Sequence, residues 1–283
     1  MLTDQVLERL DQLSLCLRDH ARGGSGGVRR SRMLGSSAEF SDFREYAPGD
    51  DIRRIDWNAF ARFDKLFLKL FMEEQEMCLT VLVDASGSMR DKWAFSVQLA
   101  EALAYLSLRG GDKVLLVAFA DGREQKSRVL SGRGSFLEAC RFLESIEPKG
   151  EAALDVLVPR VKLPPRGLCA LISDLMMEGE GERALMSVAF KRQQLALLHV
   201  LSPSELSPEY AGAMRLVDSE SEEALDLVLD RATLEDYQRA LDAFLLKIRA
   251  AASRLGASYG LFRSDAALLD VLLSGLSALG IVR

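Results

Sequence analysis

Histidine is almost missing from this chain; His20 and His199 are the two it carries. That leaves little for general-base catalysis, since histidine is the side chain whose ordinary pKa suits such work near neutrality. His199 sits inside the apolar run LALLHVL and reads as a satisfied core histidine, with no acid or nucleophile spaced to partner it. The four cysteines, Cys16, Cys78, Cys140 and Cys169, show no C-x-x-C spacing, so neither a disulfide framework nor a zinc cluster is implied. A G-x-S-x-G nucleophile elbow is also absent. No run reaches the ~20 apolar residues that a bilayer demands. The best candidate, Ala266 to Val282, is interrupted by Asp270 and two glycines and reads as a buried terminal helix. Acids and bases run through the first twenty residues, unlike a signal peptide, so a cytoplasmic protein is expected.

What the chain has is apolar mass and a mild acidity. Of 283 residues, 48% are hydrophobic, enough for a sizeable core, and the net charge of −6 argues against nucleic acid as the main partner. From residue 78 onward, strand-length apolar runs alternate with helical patterns. Strands are expected at 78–84, 112–120, 167–174, 195–201 and 257–263, with helices near 91–109, 135–146, 151–162, 181–192 and 234–255. This alternation predicts an α/β fold with a doubly wound, mainly parallel sheet. In the longest helix, Thr233 is placed to cap, Leu234, Tyr237, Leu241, Leu245, Ile248 and Ala252 form the apolar stripe, and Gly256 ends it.

The first part of the chain reads differently. A helix is expected from Thr3 to His20. A glycine-rich stretch comes next, bearing Arg22, Arg29, Arg30 and Arg32, which is either a solvated loop or an anion site; no Gly-Lys-Ser/Thr closes it as a phosphate loop. Pro48-Gly49-Asp50-Asp51 reads as a turn opening a short helix near Ile52 to Phe60, and Leu66 to Glu76 as a strand. The chain thus divides into residues 1–77 and a main domain, residues 78–283.

The chemistry concentrates where CLTVLVDASGS, Cys78 to Ser88, turns from an apolar strand into Asp84, Ser86 and Ser88. One carboxylate and two hydroxyls at the carboxyl end of a buried strand are hard oxygen ligands of the kind Mg²⁺ prefers, placed where open α/β sheets bind ligands. A plainer reading competes: Ser88 with Asp91 matches a capping box for the next helix, and Asp84 could hydrogen-bond its own turn. A second strand run, GLCALISDL, ends in Asp174 in the same way and favours the ion.

D-x-S-x-S with a later strand-end aspartate resembles the metal-ion-dependent adhesion site of von Willebrand factor A domains. The segment before it is similar to the hallmark block of domain of unknown function family 58, matched here by Glu39, Phe40, Asp42, Arg44, Tyr46, Gly49, Asp50, Arg53, Ile55, Asp56 and Trp57. The resemblance covers roughly residues 20 to 180 by motif. It implies a von Willebrand factor A-like domain holding Mg²⁺ or Mn²⁺ through Asp84, Ser86, Ser88 and Asp174. The alternating charges of the hallmark block can satisfy one another, which reads as structural first, and Glu39, Arg44, Asp50, Arg53, Asp56 and Trp57 are its candidate partner-binding residues. One departure bears on the metal: where the family commonly places a threonine ligand, in P-x-G-x-T-x-L, this chain has Ala152. Glu151 and Ser135 are the candidate substitutes.

The resemblance implies a non-enzymatic adaptor or chaperone-like bacterial protein. The family resemblance implies that it works with a MoxR-type AAA+ ATPase on a client protein complex. The alternative is a Mg-dependent hydrolase of phosphate or ester substrates, for which the sequence offers a cation but no evident general base.

Overall fold

The computed structural model describes residues 2–15, 39–47, 50, 52, 55–72, 77–164, 167–176, 180–191, 193–208, 212–217 and 224–283. Its strands are β1 (Glu39–Glu45), β2 (Phe67–Met72), β3 (Cys78–Asp84), β4 (Lys113–Ala120), β5 (Arg123–Lys126), β6 (Leu130–Ser131), β7 (Gly167–Ser173), β8 (Gln194–Leu201), β9 (Gly212–Val217), β10 (Ala224–Leu229) and β11 (Ser258–Arg263). Its helices are α1 (Asp4–Leu10), α2 (Trp57–Phe63), α3 (Trp93–Arg109), α4 (Phe136–Glu144), α5 (Leu154–Leu157), α6 (Glu180–Phe190), α7 (Pro203–Leu206), α8 (Arg231–Arg254) and α9 (Leu268–Asp270). Two compact units contain them: Met1–Arg29 with Met77–Arg283, and Arg30–Glu76.

In the larger unit five parallel strands stand in the order β11-β8-β7-β3-β4, and antiparallel β5 and β6 extend the β4 side. This is the doubly wound, mainly parallel α/β sheet that the alternation predicts. The chain goes from β3 to β4 on one side and later enters β7 on the other. Strand order therefore reverses between β3 and β7, and the carboxyl ends of these two strands flank a topological switch point.

Every residue of β3 is buried, as a strand covered on both faces requires. Leu79, Val81 and Val83 join Leu99 and Leu103 of α3 in one core. Leu82 instead joins Leu171, Leu185 and Ile248 in the core of the opposite face. That division results from the two-residue period of a strand. Cys78, Cys140 and Cys169 are free and buried; Cys16 and the arginines at 22, 29, 30 and 32 lie outside the described residues.

Several elements differ from the sequence expectation for identifiable reasons. The first helix ends at Leu10 rather than near residue 20. Arg109 ties down the segment beyond it, donating to the Leu10 and Leu13 carbonyls at 2.7 and 3.0 Å, and Leu15 then pairs antiparallel with Val282. The helix expected at 151–162 is cut to α5 and a 3-10 turn, Val158–Arg160, with Pro159 lacking the N–H that would continue it. α8 starts at Arg231 because Asp230, not Thr233, caps it, accepting from the Thr233 N–H at 2.8 Å. β9 and β10 differ from the expectation in being there at all; Arg215, Val217, Leu225 and Asp226 of the pair are exposed. The carboxy-terminal run is helical in α9 and a π-type turn, with Leu272, Leu276 and Ile281 buried. No described helix is long and apolar enough to cross a membrane.

The smaller unit is built on the antiparallel β1–β2 pair. Asp56 accepts from the Asn58 and Ala59 N–H groups at 2.9 and 3.3 Å, so the short helix expected near Ile52 starts at Trp57. The Arg44 guanidinium donates to Asp50 at 2.7 Å, and Asp50 also accepts from the Ala47 N–H at 2.9 Å. That N–H first, and Arg44 second, hold the Asp50 carboxyl below its usual range.

Candidate metal centre

Asp84 ends β3 fully buried, and a buried carboxylate requires donors. Three reach it. One oxygen accepts from the Ser86 N–H at 2.9 Å and the Ser86 hydroxyl at 2.7 Å; the other accepts from the Ser173 hydroxyl at 2.6 Å. The Ser86 and Ser88 Oγ atoms lie 3.0 Å apart, so the carboxylate and both hydroxyls of D-x-S-x-S converge. A loop from another part of the chain closes beside them. Lys149 N–H donates to the Ala85 carbonyl at 3.0 Å and Gly87 N–H to the Gly150 carbonyl at 2.8 Å. Gly150 has φ +57°, and an added Cβ would lie 3.1 Å from Asp121 Cα, so a side chain there would disturb this clasp.

Burial above all, and then the Asp174 carboxylate, push the Asp84 pKa up to about 6 against the hydrogen bonds from Ser173 and Ser86. The bonds satisfy its oxygens without neutralising its charge.

Asp174 comes directly after β7 and meets a different partner. Lys92 Nζ donates to its Oδ2 at 2.7 Å, and each side chain is 1% exposed. The same ammonium donates to Glu205 Oε1. Burial pulls the Lys92 pKa down, but the charge of Asp174 and bonds to both carboxylates outweigh it and leave the pKa raised. Asp174 Oδ1 accepts from the Met176 N–H at 3.2 Å, across Leu175 in the left-handed region at φ +52°. The capping box read at Ser88 and Asp91 is not formed. α3 begins after a 3-10 turn, Gly87–Lys92, without a side-chain cap, and Ser88 faces Ser86 instead.

His199 is the satisfied core residue expected. Its Nε2 lies 2.8 Å from the Asp174 carbonyl, which can only accept, so Nε2 carries the proton. Nδ1 then accepts from the Tyr259 hydroxyl at 3.1 Å. Burial first lowers the His199 pKa, to about 4, and the imidazole is neutral near pH 7.

The structure therefore brings Asp84, Ser86 and Ser88 together and turns Asp174 towards Lys92. Ala152 is fully buried in an apolar cluster and offers no oxygen. Glu151 is exposed. Ser135 is eliminated as a substitute ligand: it comes after β6, which pairs with Lys113 and Val114, whereas Asp84 is level with Phe119. Five residues of β4 separate the two levels, about 17 Å at strand rise. For a divalent cation the donor set fits at Asp84, Ser86 and Ser88, whereas Asp174 is held by the Lys92 ammonium. Among the described residues no group of three or more His, Cys, Asp or Glu is arranged for a metal, so a cation here would depend on the hydroxyls.

Lys92, Ser173 and Glu205 were missed by sequence reasoning. A signal existed for the first: Lys92, Ser96, Leu99 and Leu103 share one buried face at helical spacing, an unusual place for an unpaired lysine. In the hallmark block, Arg44 and Asp50 meet, Asp56 serves as a cap, Trp57 is 63% exposed with its ring edge-on to Phe60, and Glu39 opens β1 opposite Met72. Arg53 lies outside the described residues.

The family described as "Protein of unknown function DUF58" matches residues 42–243. An uncharacterized protein of Mycobacterium tuberculosis, Rv1480, is 25% identical over 268 residues, covering 90% of this chain and 84% of its own. Among solved structures, BatB from Bacteroides thetaiotaomicron is 18% identical, covering 64% of this chain and 98% of its own with a TM-score of 0.38. The SpRpn10 VWA domain is 12% identical, covering 69% and 92% with a TM-score of 0.39. Proximal thread matrix protein 1 from mussel byssus, with a zinc-occupied MIDAS motif, is 17% identical, covering 44% and 36% with a TM-score of 0.35.

Proposed function

The chain belongs to the DUF58 family, and on that premise we propose that it is a non-enzymatic interaction protein, an adaptor or chaperone-like factor that grips its partner through a cation. The convergence of Asp84, Ser86 and Ser88 at the switch point of the sheet carries this reading. Asp84 and the two serine hydroxyls would hold Mg²⁺ or Mn²⁺, with Asp174 as the fourth ligand. When bound, the ion supplies an electrophilic centre for an acidic side chain of the partner. Without it, that side chain would meet the like charges of Asp84 and Asp174. The histidine bonded at this strand end, His199, is neutral and engaged on both ring nitrogens, which supports binding over hydrolysis.

The partner we infer, from the family resemblance, is a MoxR-type AAA+ ATPase acting in the cytoplasm on a client protein complex. The hallmark residues Glu39, Arg44, Asp50, Arg53, Asp56 and Trp57 are proposed as a second contact surface. Calorimetry with Mg²⁺ and Mn²⁺ tests the centre: weak, millimolar-range binding is expected, lost in Asp84→Ala and tightened in Ala152→Thr. Capture of the ATPase should weaken with EDTA and with Asp84→Ala in protein shown to be folded by circular dichroism. A complex unchanged by both treatments overturns the proposal. Turnover of generic phosphates or esters, abolished by Asp84→Ala, would replace it with the hydrolase.

A further inference from the structure

Lys92 is among the largest fully buried side chains described, and a buried ammonium persists only where carboxylates face it. Two do, and they arrive from different elements: Asp174 from the end of β7, and Glu205 from α7. Both oxygens of Asp174 are engaged, one by Lys92 Nζ and one by the Met176 N–H. A cation at Asp84, Ser86 and Ser88 would therefore meet Asp174 with the ammonium already on it, and the two positive charges oppose each other there. Glu205 makes the competition for Asp174 winnable. It contacts Lys92 through Oε1, while its Oε2 accepts from the Ser202 N–H at 2.6 Å in the capping box of α7, so it stays in place whatever Asp174 does. Losing Asp174 would leave Lys92 paired rather than stranded.

We propose that Lys92 is an internal counter-ion that competes with the divalent cation for Asp174 and thereby sets the affinity of the centre, with Glu205 retaining the ammonium when Asp174 turns to the cation. The inference rests on the reading of Asp84, Ser86 and Ser88 as a cation site. Its electrostatics are simple. Asp84, Asp174 and Glu205 against one ammonium leave two negative charges, which a single divalent ion neutralises. Without Lys92 the same carboxylates present three, and Asp174 Oδ2 is released to the ion.

Calorimetric titration of wild type, Lys92→Met and Glu205→Gln with Mg²⁺ and Mn²⁺ tests this, with folding checked by circular dichroism. Lys92→Met keeps the stem and removes the charge, and should bind about tenfold more tightly or better. Glu205→Gln leaves Lys92 only Asp174 as a charged partner and should bind more weakly than wild type. Wild-type binding with an unchanged Kd in folded Lys92→Met overturns the counter-ion role and leaves the cation reading standing. Should Lys92→Met fail to fold, an unchanged Kd in Glu205→Gln overturns it equally. No binding by wild type together with binding by Lys92→Met supports it, and no binding by either defeats both readings.

Discussion

β3 and β7 lie side by side, each a buried apolar run closing on an aspartate, yet the two carboxylates live under opposite electrostatics. Asp84 is surrounded by hydroxyls and an N–H, which satisfy its oxygens and leave its charge uncompensated. Asp174 faces an ammonium buried as deeply as itself. A strand's own sequence delivers a carboxylate to a sheet edge. Its surroundings are decided by what other elements bring: a neutral hydroxyl, Ser173, from the neighbouring strand in one case, and a charge, Lys92, from the start of a helix in the other. Similar local sequence therefore predicts similar position without predicting similar stability or ion affinity.

Removing each charge in turn should break the symmetry most sharply. Asp174→Ala withdraws one partner of a buried ion pair, a change that typically costs about 3–5 kcal/mol. Glu205 retains part of the interaction, so the lower end is expected, read as a fall of several degrees in thermal unfolding. Asp84→Asn, which removes a charge that no cationic side chain compensates, should stay within about 1 kcal/mol of wild type at pH 7. Equal losses in the two variants would show that the aspartates are energetically alike.

A somewhat smaller effect concerns pH, measured on cation-free protein in EDTA. The folded Asp84 carboxyl titrates near 6, above its unfolded value of 3.8, so the native state holds the proton more tightly. Its contribution favours folding below about pH 4 and is lost as pH rises through 6, with an upper bound of about 3 kcal/mol. Wild type minus Asp84→Asn should therefore show a stability difference that declines across that window and flattens above it. A pH-independent difference would mean that burial and Asp174 do not raise this pKa. The smallest effect belongs to the hallmark block. Arg44→Ala breaks an exposed ion pair and should shift the melting temperature by about a degree or less, against several for Asp174→Ala. A shift as large as that of Asp174→Ala would place this pair among the structural ones.

The sheet was legible because β3, β7 and β8 are buried on both faces and write themselves as unbroken apolar runs. Asp84 and Asp174 were legible because each ends such a run. Lys92 was not, because MRDKW at the head of a helix looks like a solvated turn, and only the helical register with Ser96, Leu99 and Leu103 betrays its inward direction. Ser173 was hidden by strand pairing. It lies one step beyond the Val83–Ile172 pair, a relation that exists only once β3 and β7 are adjacent. Glu205 was read as nothing in particular, since its capping box serves a helix of one turn. Local pattern thus located the carboxylates, and three-dimensional neighbours supplied their partners.

The pairing of Ser14 with Arg283, 269 positions apart, has a bearing on how the protein comes into being. The N–H of each donates to the carbonyl of the other at 2.8 and 2.9 Å, beside the Leu15–Val282 bridge. On a ribosome, the segment Arg30–Glu76 has its internal strand pairing available early, since β1 and β2 are separated by a short stretch of chain. The larger unit must keep α1 and the residues after it waiting until Val282 and Arg283, the latter 269 positions after Ser14, emerge to close against them. Contacts of such long sequence separation form late and leave apolar surface exposed in the interval. Newly made chains should therefore depend on chaperones or on rapid synthesis more than a domain of this size with local wiring would.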